Sequence, residues 1–182
     1  MKVIILLVSY LGINFSLFSQ VLLAEDGSVF FRSDAPLELI EANCPQLRAA
    51  IRTTDNNFAF SLKVECFNGF NSALQKEHFD EKFMETHLYP NISFQGKIIE
   101  AVDWQKEGEY TIHAKGKFEV HGIVQERIIQ AIIIVSKKKE ITIEARFKVL
   151  LKDHNILIPS VVGQNIAEEI FVEAKINFHA KK

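Results

Sequence analysis

From Ser28 onward the dominant period of the sequence is two: apolar and polar side chains alternate in one stretch after another. Phe58, Phe60, Leu62 and Val64 alternate with Ala59, Ser61, Lys63 and Glu65, and Ile92, Phe94, Gly96 and Ile98 alternate with Ser93, Gln95 and Lys97. The same pattern runs through 110–120, 141–151 and 170–178. A period of two sends successive side chains to opposite faces. One apolar face beside one mainly polar face is the pattern of an antiparallel sheet. The stretch 127–135 is apolar on both faces, so it is either a strand covered on both sides or one that faces something apolar. Turn signals fall between these runs: Lys106-Glu107-Gly108, His121-Gly122 and the charged 136–140. Short strands at such spacing predict an all-β barrel or sandwich, and 182 residues suit a single domain.

Two segments break the alternation. Residues 71–90 are polar and lack Val and Ile, which predicts one or two short helices with Leu74, Phe79, Phe83 and Leu88 turned inward. Residues 152–168 contain Pro159 and Gly163, with a helix expected around 164–169. A barrel with two such excursions is a plausible container, the excursions covering or lining its opening.

The chain opens with Lys2 and an apolar run from Val3 to about Phe18, the layout of a secretory signal peptide. The preferred segment is 1–19, with cleavage after Ala24 as the alternative; the barrel domain is assigned to 25–182. A transmembrane anchor is the competing reading. The run is short for that, Asn14 interrupts it, and no strong positive flank follows. Export to the periplasm or beyond permits a disulfide between the only two cysteines, Cys44 and Cys66. The turn 53–57 lies midway between them, and the apolar match sets Ile51 against Phe60 and Ala49 against Leu62. A one-residue bulge near Pro45 would bring the cysteines opposite each other. The alternative is a pair of buried free thiols.

Chemistry-bearing patterns are sparse. A net charge of −2 argues against nucleic acid as a partner. His78 and His87 flank an acidic stretch, but their spacing matches no metal motif and suits a surface helix equally. His113 and His121, about 27 Å apart along one extended strand, cannot share a ligand. Asp153-His154 invites a catalytic reading, yet no nucleophile motif, phosphate loop or dinucleotide fingerprint accompanies it. Neither a metal nor a cofactor is expected. What remains is an apolar inward face, including the small residues Ala114, Gly116, Ala145 and Ala174, which can close as a packed core or surround an apolar ligand.

The order of motifs across 28–178 resembles the YceI-like family. Phe67-Asn68-Gly69-Phe70 precedes His78-Phe79 and then Tyr89-Pro90-Asn91-Ile92-Ser93-Phe94, similar to the family's short His-containing helix and "YP.I.F" strand entry. Gly116-Lys117-Phe118-Glu119-Val120-His121-Gly122-Ile123 is similar to its "G.L.IHGV" hairpin, and 170–178 to its closing strand. The chain departs from the family in carrying Lys152-Asp153-His154-Asn155-Ile156 where an Arg-x-Asp-Phe-Gly-Ile stretch is common. It also opens briefly, with 28–31 and 35–40, as a shorter, divergent branch. The resemblance implies a lipocalin-like antiparallel β-barrel with one or two short helices between strands. It also implies a non-catalytic exported bacterial protein that binds a polyisoprenoid-type or other apolar lipid.

By face, that implies apolar lining from Phe58, Phe60, Leu62, Phe94, Ile112, Phe118, Phe147 and Val149, with Phe79 and Phe83 at the helical rim. Tyr110 and His154 are candidates for polar headgroup contacts. Such a carrier works close to a membrane; its oligomeric state is left open. The rival readings are a filled-core barrel acting as an envelope or stress-related interaction module, and an enzyme using Asp153-His154.

Overall fold

A computed structural model describes residues 21–159 and 163–178; the apolar leader 1–19 lies outside them. Eight antiparallel strands are present among the described residues: β1 (Val21–Asp34), β2 (Leu39–Arg52), β3 (Asn57–Lys63), β4 (Asn91–Ile98), β5 (Gly108–Val120), β6 (Ile123–Val135), β7 (Ile141–Leu150) and β8 (Glu169–Phe178). Each pairs with the next, and β8 returns to β1 to close the barrel. The alternation is the cause. Ile112, Ala114, Phe118 and Val120 of β5 are buried, while Thr111, Lys115 and Lys117 between them are exposed.

The two ends differ. One carries the turns at 53–56, 99–107 and 136–140. Trp104 is buried there in the main core with Ile98, Val135 and Phe178, and its indole Nε1 donates to Asn56 Oδ1 at 3.0 Å. The other end carries the long connections 64–90 and 151–168. In the first of these lies the short helix α1 (Ala73–His78), capped by Ser72 Oγ accepting from Gln75 N, and continued by one π-helical turn, Phe79–Phe83. Phe79 and Phe83 are half-buried, as expected, and Leu74, though more than half exposed, borders the barrel interior. Leu88 is more than half exposed because it falls in the turn beyond the helical segment. The helix expected at 164–169 does not form: Gly163 and its followers turn, and Glu169 already belongs to β8.

The opening strands are longer than the sequence suggests. β1 and β2 span fourteen residues each. Their ladder is broken twice: β1 carries an extra residue between Ala24↔Ala49 and Gly27↔Leu47, and β2 carries one, at Pro45-Gln46, between Gly27↔Leu47 and Val29↔Cys44. The first bulge hides the alternation before residue 28. The second keeps Ala42 and Cys44 inward together with Leu47, Ala49 and Ile51.

The β2–β3 register is two residues from that expected: Ile51 faces Phe58, and Ala49 faces Phe60. A slide of two preserves both faces, so the apolar pattern is satisfied either way. Asp55 selects the observed turn by accepting hydrogen bonds from Arg52 Nη1, Asn57 N and Asn57 Nδ2. Strand β3 then ends at Lys63. A single 3₁₀ turn, Val64–Cys66, delivers Cys66 to Cys44, and the two form a disulfide.

The outer face of β6 is not covered among the described residues: Val124, Ile128 and Ile134 are all exposed. Gly116, expected to leave space inside, instead sits opposite Gly96, where a Cβ on either residue would strike the backbone of the other strand. The pair is a close approach of β4 and β5, so Gly116→Ala should lower stability by about 1–3 kcal/mol in urea unfolding. Replacing both cysteines with Ser opens a loop of 22 residues and should cost about 3 kcal/mol by the same measurement.

Candidate functional site

Eight strands enclose an interior just wide enough for side chains or for one small ligand. Here the inward residues leave a cavity of about 540 Å³. All ten positions expected from the sequence to line it do so: Phe58, Phe60, Leu62, Phe79, Phe83, Phe94, Ile112, Phe118, Phe147 and Val149. The space has a local cause. Ala131 of β6, Ala145 of β7 and Ala174 of β8 are directly paired across three neighbouring strands, and all three line the cavity. Ala114 adds to them from β5. Ala131 was not singled out by the sequence because it sits in the stretch 127–135, whose two faces are both apolar.

Beneath the helical end the lining is aromatic. Phe31, Phe67, Phe70 and Phe79 form one cluster, with Phe31 and Phe79 stacked at 5.5 Å and Phe67 edge-on to Phe31 at 5.2 Å. The disulfide helps to place it, because Cys66 immediately precedes Phe67. Asn68 locks the same segment to β2 by exchanging backbone hydrogen bonds with Asn43 at 2.8 and 3.0 Å. A second aromatic chain, Phe58, Phe94, Phe118 and Phe147, crosses the barrel wall with ring centroids 4.8 to 5.9 Å apart.

The mouth is polar and lies between the β1–β2 turn, α1 and the segment before β8. Glu38, Ser72, Gln75, His78 and Asn165 line it. Of these only His78 stood out in the sequence; the group comes from three separate connections.

Neither residue expected to hold a headgroup lies in the cavity lining. Tyr110 packs against the main core outside the lining, and its hydroxyl donates to the Lys106 carbonyl at 3.1 Å. His154 is fully buried beneath the β5–β6 turn, edge-on to Phe118, with Nδ1 donating to the Ile123 carbonyl at 3.3 Å. Burial pushes its imidazole below the ordinary value of 6.5, and Arg127 adds to this, against the raising effect of backbone hydrogen bonds and of Asp153. The ring is thus packed behind the cavity wall, against the lining residue Phe118, rather than exposed in the cavity.

His121 occupies the β5–β6 turn with Gly122. Both have positive φ, as a two-residue I′ hairpin requires. The turn swings His121 inward, off the face of His113, so that its Nδ1 lies 3.1 Å from the His154 carbonyl and its Nε2 2.8 Å from Glu85. His113 remains on the outer face, with Nδ1 2.6 Å from Glu100. Among the described residues no group of three or more His, Cys, Asp or Glu is placed to hold a metal.

One side of the barrel is only partly sealed. β6 and β7 pair from Val135↔Ile141 to Ala131↔Ala145 and then part. Beyond that point side chains bridge the seam: Arg127 Nη2 donates to the Lys148 carbonyl and Gln125 Nε2 to the Asp153 carbonyl, both at 2.8 Å. Phe147 faces both the inner cavity and a shallow outer groove lined by Arg127, Arg146 and Lys148.

The family model for the YceI-like domain matches residues 33–178. No curated protein sequence matches the chain. Among solved structures, a polyisoprenoid binding domain from Saccharophagus degradans implicated in plant cell wall breakdown superposes with a TM-score of 0.72 at 12% identity, covering 88% of this chain and 98% of that one. BcnA of Burkholderia cenocepacia gives 0.66 at 11% identity, over 83% and 95% of the two chains. A YceI protein of Campylobacter jejuni gives 0.59 at 14%, over 77% and 85%. At these identities the likeness establishes a shared fold.

His154 generates a pH prediction. Its folded pKa lies below the unfolded one, so above pH 6.5 it is neutral in both states and adds no pH dependence. Below pH 6.5 the unfolded chain takes up the proton first, and stability falls until the folded pKa is reached. NMR titration of the ring should show the depressed pKa, and urea midpoints should decline from pH 6.5 towards 5.

Proposed function

The chain belongs to the YceI-like domain family, and on that premise we propose that it is an exported, non-catalytic carrier whose barrel holds the apolar chain of a polyisoprenoid-type lipid. The observation that carries this reading is the cavity. It measures about 540 Å³, within the range of small-molecule sites, and its walls are almost wholly aliphatic and aromatic. A filled-core barrel acting only through its surface would lack that space. The polyisoprenoid-binding domain of the same fold supports the choice of ligand class. Uptake needs no reaction: each Å² of apolar surface removed from water contributes about 25 cal/mol.

Two features support export. The disulfide suits an oxidising compartment, the periplasm or the exterior. Cleavage after Ser19 leaves β1 whole, whereas cleavage after Ala24 would remove four residues that pair with Ala49–Arg52 of β2. An intact β1 supports a mature chain that begins at Gln20.

The test is native mass spectrometry of the mature protein, purified from an envelope fraction without detergent. An added mass of lipid size, lost on organic extraction, is the expected result. Affinity for added prenols should rise with chain length; equal affinity for short and long homologues would overturn the reading. Filling the bore with Ala145→Phe and Ala174→Phe should reduce binding at least tenfold, with circular dichroism reporting an intact barrel.

A further inference from the structure

The cavity wall is apolar, but its mouth is organised around one acid. Glu38, half-buried in the β1–β2 turn, accepts from Gln75 Nε2 at 2.7 Å through Oε1 and from Asn165 Nδ2 at 3.2 Å through Oε2. One carboxylate thus ties α1 to the segment before β8, across the opening. The turn beneath it is held by Ala35 N donating to the Glu38 carbonyl and Leu37 N donating to the Gln164 carbonyl. Ser33 Oγ, buried at the end of β1, accepts from Ala167 N and braces the same segment.

Charge at this opening is one-sided. Glu38 is the only carboxylate lining the cavity among the described residues, and its partners are neutral amides. The nearby cations are engaged elsewhere. Lys76 on α1 is bound to Asp80 at 2.7 Å, and Lys175 of β8, which borders the cavity but is exposed, is bound to Glu144 at 2.8 Å. His78 is the other titratable side chain of the lining besides Glu38 and Lys175.

An ionised carboxylate offers about four lone-pair sites and no proton. Gln75 and Asn165 occupy two, and the others can accept from a head seated at the mouth. A head carrying its own negative charge would meet an acceptor of like charge and no free cation, in a half-buried site where solvent screens little. The amides of Gln75 and Asn165 complete the set with carbonyl acceptors and spare N–H donors for a neutral group.

We propose that the Glu38–Gln75–Asn165 clasp selects the headgroup of the cargo: it accepts an uncharged, hydrogen-bond-donating head, such as a hydroxyl or primary amide, and rejects phosphate, pyrophosphate or carboxylate on the same tail. The proposal rests on the lipid-carrier reading above and adds to it the class of head.

The test is competition between a long-chain polyprenol and its monophosphate of equal length, on the delipidated mature protein, read by native mass spectrometry. The alcohol should bind at least tenfold more tightly. Glu38→Gln, which keeps the shape and one acceptor oxygen and leaves the second contact to be remade by a flip of the facing amide, should raise affinity for the phosphate and bring the ratio below threefold, with circular dichroism reporting an intact barrel. Glu38→Lys should reverse the preference. Equal or tighter binding of the phosphate by the wild-type protein overturns the proposal while leaving the carrier reading intact, as does a ratio that Glu38→Gln does not move. Binding of neither lipid overturns the carrier reading, and the headgroup proposal with it.

Discussion

Five residue pairs between β1 and β8, from Ser28↔Lys175 to Arg32↔Phe171, turn a curved sheet into a closed wall. Closure satisfies the strand edges and sets the distance across the interior. Once that width is set, the inward side chains either fill it or leave space. Across β6, β7 and β8 they are Ala131, Ala145 and Ala174, each too small to reach the middle. The cavity follows from closure together with these three alanines, and the Phe-rich strands opposite provide its walls.

The two ends of the barrel do different work for a physical reason. Tight turns at one end let Trp104 and its neighbours stop the bore with a packed, hydrogen-bonded plug. At the other end, the long connections 64–90 and 151–168 cannot seal by turn geometry. They are secured instead by a covalent bond and a polar clasp. The Cys44–Cys66 disulfide and the Asn43–Asn68 bridge fasten the start of the excursion to β2 and seat Phe67 and Phe70 over the cavity. Glu38 fastens the helix that follows. The result is an opening that is firmly built on its sides and polar at its lip.

Much of this could be read from residue order, and the exceptions are informative. Alternation placed the eight strand residues from Phe58 to Val149 on the inner face, because a period of two is insensitive to how strands slide by even steps. For the same reason it could not distinguish Ile51 facing Phe58 from Ile51 facing Phe60; that choice belongs to Asp55 in the turn. The beginning of β1 was obscured by the bulge at Glu25-Asp26, which disrupts the pattern without ending the strand. Gly116 looked like spare volume, yet its missing side chain is consumed by the backbone of β4. Tyr110 and His154 carry the right chemistry for a headgroup but are directed elsewhere by Lys106 and Ile123. Glu38, Gln75 and Asn165 become neighbours only when three distant connections meet, which no local pattern records.

The seam between β6 and β7 is held differently from its neighbours. Thirteen residue pairs join β5 to β6 and ten join β7 to β8, whereas β6 and β7 share five, as few as β1 with β8 or β2 with β3. What sets this seam apart is that both strands run on past their last pair, and Arg127 and Gln125 reach across in place of main chain. Local opening is easiest where the fewest backbone hydrogen bonds must break, and here it would exchange two side-chain bridges for water. Around Phe147 the wall is laced by side chains, as a sleeve closed along one slit by ties.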